Sequence, residues 1–122
     1  MPDKVSASTF WVKIYIAGDY NIAKQICRKY CMKGLCINIS KMDYIYTMGE
    51  ERGVCIELIQ FPVFKKNVLD IEEEAIRLAE ILLDGLCQAS YTVMTPYRTY
   101  YYSRKQDIRE KNKTEKKLTL DK

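Results

Sequence analysis

Hydrophobic and polar positions alternate and recur along this chain with two distinct periods, and the switches between them mark out its elements. Residues 10–17 (FWVKIYIA) are β-branched and aromatic, which predicts a central strand. Gly18 and Asp19 end it, and Asp19 is placed to cap a following helix. Ile22, Ala23, Ile26, Cys27, Tyr30 and Cys31 then fall at helical spacing on one stripe, while Lys24, Arg28 and Lys29 face the other way. Gly34 supplies the stop. Alternation resumes over residues 35–40 and continues through 44–48. The charged segment Gly49–Gly53 reads as a turn and 54–61 as the partner strand, so residues 35–61 form a hairpin. After Pro62, Asp70 with carboxylates at Glu72 and Glu73 predicts a second helix start. Its apolar stripe is Ile71, Ala75, Leu78, Ala79, Leu82, Leu83 and Leu86. Residues 91–94 and 97–102 complete the pattern as one final strand, bent near Pro96.

The order β-α-β-β-α-β predicts an α+β protein of ferredoxin-like topology, an antiparallel sheet with two helices on one face. Its other sheet face would hold tyrosines and apolar residues without internal cover, so a homodimer or higher oligomer is expected. Residues 1–103 are expected to form a single α+β domain, and 104–122 a charged C-terminal tail, helical or disordered.

Composition sharpens this picture mainly by exclusion. The 122 residues include 20 Lys+Arg, 16 Asp+Glu and no histidine. Without an imidazole there is no histidine general base, no Ser-His-Asp or Cys-His pair and no histidine-ligated metal. The net charge of +4 is confined to 104–122, which hold eight Lys/Arg against four acids; residues 1–103 carry twelve of each sign. A neutral body argues against a nucleic acid polymer as partner. Five cysteines are an odd number, their spacing matches no zinc pattern, and residues 1–10 lack a signal peptide's apolar run. No stretch is long and apolar enough for a membrane span. A cytoplasmic protein with buried thiols, no metal and no cofactor is expected.

The candidate chemistry points to ligand binding without catalysis. The ten tyrosines concentrate at 44/46 and 91/97/100/101/102, beside Arg98 and Arg104. Tyrosine faces and guanidinium forks together suit a nucleotide, and they equally suit a sheet and subunit interface. The Glu72–Glu74 run fits the first turn of a helix, where carboxylates complement the dipole. No nucleophile has an activating base beside it, so the chain is expected to be a binding protein and not an enzyme.

Several strings in the first sixty residues, Ile14–Asp19, Ala23–Arg28, Tyr30–Cys31, Gly34–Cys36, Tyr44–Thr47 and Gly49–Glu51, resemble phage proteins of the Thoeris anti-defence 1 (Tad1) type. The resemblance covers roughly residues 10–103. It implies a sponge in the host bacterial cytoplasm that sequesters a cyclic nucleotide immune signal, glycocyclic ADP-ribose and also cyclic oligonucleotides, without cleaving it. Residue chemistry, and not the resemblance, selects Arg28, Arg52, Arg98 and Arg109 as phosphate contacts and Tyr46, Tyr100 and Tyr102 as base or ribose contacts. A small RNA-binding module, or a regulatory oligomer resembling the CutA or ACT type that binds a metabolite, are the competing readings.

Overall fold

The structure, a computed structural model, describes residues 4–61 and 67–104. Strand β1 (Trp11–Ala17) leads into helix α1 (Tyr20–Tyr30), which continues into a short 3-10 turn (Cys31–Lys33). β2 (Ile37–Tyr46) and β3 (Gly49–Ile59) form the long hairpin, α2 (Val68–Gly85) crosses the sheet, and β4 (Ser90–Met94) and β5 (Thr99–Ser103) close the chain. All pairings are antiparallel, in the order β2-β3-β1-β4-β5. The ferredoxin-like topology is thus present, with β5 added at the β4 edge.

Strand parity builds the core. Val12, Ile14 and Ile16 of β1, Val54, Ile56 and Leu58 of β3, and Tyr91 and Val93 of β4 point to one face and are buried. Against them pack Ala23 and Cys27 of α1 and the predicted α2 stripe, whose residues Ala75, Leu78, Ala79, Leu82 and Leu83 are fully buried. Each such aliphatic side chain contributes roughly 1.5–3 kcal/mol on leaving water. In α1 the stripe is narrower than the sequence suggests: Ile22 is exposed, and Ile26 and Tyr30 are only partly covered. Burial of thiols likewise holds for Cys27 alone, which burial pushes up to about 12; Cys31 and Cys55 are half-buried, and Cys36 and Cys87 are exposed.

Helix boundaries follow capping chemistry. The Asp19 Oδ1 accepts from the Ile22 amide at 3.0 Å, and Gly34 adopts φ 103° beyond the last turn. α2 starts earlier than expected, because the Asn67 side chain accepts from the Leu69 amide and takes the cap that the sequence offered to Asp70.

Two connections differ from expectation. The hairpin turns at Thr47 and Met48, with Met48 at φ 69°, and Gly49–Gly53 belong to β3. Pairing decides this, since Tyr46 lies opposite Gly49, Asp43 opposite Arg52 and Ala17 opposite Gly53. The expected bent final strand is instead the β4–β5 hairpin. Its turn is held by Thr95, a buried residue whose hydroxyl accepts from the Tyr97 and Arg98 amides. Of the expected tail only Arg104 is described, and its guanidinium pairs with Asp84.

Glu74 ties α2 to the end of α1. Its carboxylate accepts from the Tyr30 hydroxyl at 2.5 Å and pairs with Lys33 at 2.8 Å and Arg77 at 3.2 Å. Desolvation raises its pKa, but the hydrogen bonds from Lys33 and Tyr30 and the charges of Lys33 and Arg77 outweigh it and hold the group down to about 2. A depressed carboxylate stabilises the fold above its ordinary value of 4.5 and loses that contribution as pH falls toward about 2. Urea unfolding across this window should show stability falling less steeply for Glu74→Gln than for the parent chain; equal slopes would refute the assignment.

Candidate functional site

The sheet face opposite the helices carries the residues of the other parity. Trp11, Lys13, Tyr15 and Ala17 of β1 lie there, with Cys55 and Glu57 of β3 and Thr92 and Met94 of β4. Tyr44 and Tyr46 of β2 and Glu51 of β3 extend this face up the hairpin, and Tyr101, opposite Thr92, adds to it from β5.

A depression of about 350 Å³ opens on this face where β1 ends and β4 begins, lined by Tyr15, Tyr44, Tyr46, Glu51 and Tyr101. Its floor has a simple origin. The β1–β4 pairing runs only over Lys13–Tyr15 against Thr92–Met94, so the backbone of Ile16–Ala17 and Ser90–Tyr91 borders the space beyond it. Among the described residues no Lys or Arg lines it.

Local contacts fix its walls. Tyr15 and Tyr44 meet edge to face, with ring centroids 6.5 Å apart. The Tyr44 ring lies over Gly53, and its hydroxyl donates to the Val54 carbonyl. Burial, and then the neighbouring Cys55, push the Tyr44 hydroxyl well above its usual range. The Tyr46 hydroxyl donates to Glu51 Oε1 at 3.0 Å, and that bond, followed by desolvation, raises Tyr46 too. Both tyrosines therefore stay protonated near neutrality and act as π faces and donors rather than as bases. Glu51 is left as the anionic group of the depression.

Two other recesses differ in character. One of about 320 Å³, at the opposite end of the molecule between Gly34–Cys36, Leu58, Phe61 and Ile71, is apolar, and its one carboxylate, Glu74, is committed to Tyr30, Lys33 and Arg77. The other lies on the helix side at the start of α1 and contains Arg52.

The residues selected from sequence do not converge within one chain. Tyr46 lies in the depression. Arg52 points to the helix side of the sheet, with Asp43 opposite it. Tyr100 and Tyr102 share the parity of Val93 and Tyr91 and so also face the helices; Tyr102 stacks on Tyr91 at 5.5 Å, and the Tyr100 hydroxyl is raised by its bond to Glu72. Arg98 sits in the β4–β5 turn, Arg28 on the outer surface of α1, and Arg109 outside the described residues. Tyr15, Tyr44, Glu51 and Tyr101, which line the depression with Tyr46, were not among the residues selected from sequence. The parity of β1 alone, with Tyr15 between the core residues Ile14 and Ile16, was a signal for the first of them.

No protein-family model and no curated protein matches the chain. Among solved structures, a phage SAM lyase in its apo state matches at a TM-score of 0.62 and 13% identity, covering 84% of this chain and 95% of that one. The phage SAM lyase in complex with S-methyl-5′-thioadenosine matches at 0.61, with the same identity and coverage. The frame of five strands and two helices is shared with that phage enzyme. This corrects the expectation that the chain is no enzyme, because the fold is one on which a phage lyase is built. The comparisons support a phage-protein fold and give no support to the Tad1 family in particular. Among the described residues, no helix is long and apolar enough to cross a membrane.

Proposed function

We propose that this chain is a phage enzyme that binds S-adenosylmethionine (SAM) in the open-face depression and cleaves its sulfonium. The observation that carries the reading is the set of side chains facing that depression, Tyr15, Tyr44, Tyr46 and Tyr101 with one carboxylate and, among the described residues, no cation. Aromatic faces attract onium centres through the ring quadrupole, and a carboxylate adds direct charge attraction. A phosphate dianion finds nothing of the kind there, and Arg28, Arg52 and Arg98, which a cyclic nucleotide would need, are dispersed over other surfaces.

Sulfonium chemistry also suits a site with few titratable groups. When the bond from sulfur to the four-carbon amino-acid fragment breaks, its electron pair neutralises the sulfonium, and the leaving group is the uncharged thioether S-methyl-5′-thioadenosine. The leaving group is already activated. The carbon that loses sulfur takes an electron pair from an oxygen of the fragment's own carboxylate, closing a five-membered lactone with no proton to move, so the protein's task is to hold the sulfonium and that carboxylate in line, which is catalysis by orientation and electrostatics. Tyr15, Tyr44 and Tyr101 would supply the ring faces, Glu51 the charge, and Tyr46 the bond that orients Glu51. The exposed backbone of Ile16–Ala17 and Ser90–Tyr91 offers amides and carbonyls for a base edge. Such an activity belongs where SAM is made, inside the infected cell.

The test is direct. The purified chain is incubated with SAM, and the mixture is separated chromatographically before and after heat denaturation. Time-dependent S-methyl-5′-thioadenosine is the expected result. SAM retained by the protein and released intact by heating would make it a sequestering protein, and neither turnover nor retention would overturn the reading. A parallel incubation with a cyclic ADP-ribose isomer should leave that compound unbound.

A further inference from the structure

The recess on the helix side has a different chemistry from the depression. It is a cavity of about 480 Å³ at the junction of β1 and α1, bounded by Tyr20 of α1, by Lys41, Met42 and Asp43 of β2, and by Arg52 of β3. The pairing of β2 with β3 sends Lys41, Asp43 and Arg52 to the helix side, and Tyr44, Tyr46 and Glu51 to the other. The two sites therefore lie on opposite faces of one hairpin.

Its charges are of both signs. Lys41 and Arg52 are cations, Asp43 is an anion, and the carboxylate of Asp19 is already engaged in capping α1. The end of the helix is thus occupied, and the charge available to a ligand comes from the sheet. Asp43 stands directly opposite Arg52 in the ladder, a position where opposite charges ordinarily close into a pair. Among the described residues neither enters an ion pair or a side-chain hydrogen bond, and the Lys41 ammonium lies over the Tyr20 ring, 5.1 Å from its centroid.

This arrangement discriminates between ligand classes. Two cations offset by two carboxylates give a phosphate no net attraction, and an apolar ligand would strip water from charged groups without replacing it. A small zwitterion satisfies both signs at once. A guanidinium fork and an ammonium suit a carboxylate, and Asp43 suits an ammonium. We propose that this cavity binds a free α-amino acid, its carboxylate between Arg52 and Lys41, its ammonium at Asp43, and an apolar side chain of moderate size against the Tyr20 ring. The site is independent of the proposed SAM chemistry.

L-methionine is a suitable probe, with thermal unfolding and titration calorimetry of the full chain as readouts. A saturable rise in Tm at millimolar methionine is expected. 3-(Methylthio)propylamine, which lacks the carboxylate, N-acetyl-methionine, which lacks the ammonium, and inorganic phosphate should each give none. Arg52→Gln and Asp43→Asn should each weaken methionine binding about tenfold or more, in line with the loss of a charge-assisted hydrogen bond, while Lys29→Gln leaves it unchanged. No saturable shift, an equal shift with either truncated analogue or with phosphate, or binding that survives both substitutions would overturn the assignment. The analogue series needs no variant, so a substitution that impairs folding does not remove the test.

Discussion

Glu51→Gln is expected to lower SAM turnover by about tenfold to a hundredfold while leaving the fold intact. A hydrogen bond or contact to a charged group is worth ~1.5–3 kcal/mol, which is one to two decades in rate or affinity. The substitution is nearly isosteric. Glutamine's carbonyl can still accept from the Tyr46 hydroxyl, now 3.0 Å from Glu51 Oε1, so the change removes charge and little else. That gives the prediction a discriminating form. Binding of SAM, which carries the sulfonium, should weaken, and binding of S-methyl-5′-thioadenosine, which is neutral at sulfur, should not. Equal losses for both ligands would mean that Glu51 shapes the depression rather than attracting charge. Because Glu51 is exposed in the single chain, water screens it, and the lower end of the range is the one to expect there.

Gly53→Ala should cause the larger loss of stability, about 3 kcal/mol, the upper end of the usual cost of overpacking. Gly53 is buried, with Ala17 opposite it where the hairpin meets β1. A methyl group there would meet the Ile16 carbonyl oxygen at 2.5 Å and the Ala17 Cα at 2.9 Å, and would run into the Tyr44 ring. Two of these neighbours are backbone and cannot turn aside. For a chain of this size the cost corresponds to a fall in Tm of roughly 10–20 °C, readable by circular dichroism. Adding Tyr44→Ala should restore little of it, since the backbone collisions remain. An unchanged Tm for Gly53→Ala would show that the strands separate there easily, and the depression beside them would then be soft rather than preformed.

Much of the frame was legible because it rests on short-range rules. The β1 strand, the α2 stripe, the Asp19 cap and the Gly34 stop each rest on local sequence rules, and each formed as read. The errors fall where a distant partner decides. Gly49–Gly53 has a turn's composition, but pairing with β2 and the close approach of Gly53 to β1 draw it into β3, leaving Met48, not a glycine, in the left-handed region. The β4–β5 turn is closed by the Thr95 amide donating to the Arg98 carbonyl and by the buried Thr95 hydroxyl, for which the sequence carries no distinctive signal.

The candidate site shows the same division more sharply. The sequence by itself determined the ferredoxin-like order, the absence of histidine chemistry and the abundance of tyrosine. It could not say which tyrosines stand together. In the run Tyr100–Tyr101–Tyr102 the middle residue alone faces the depression, because a strand's side chains alternate and the register against β4 sets Tyr101 opposite Thr92. A shift of one residue would exchange Tyr101 for its two neighbours. Register is fixed by the turn and by burial of Tyr91 and Val93 beneath α2, so only the tertiary structure decided where the carboxylate and the rings meet.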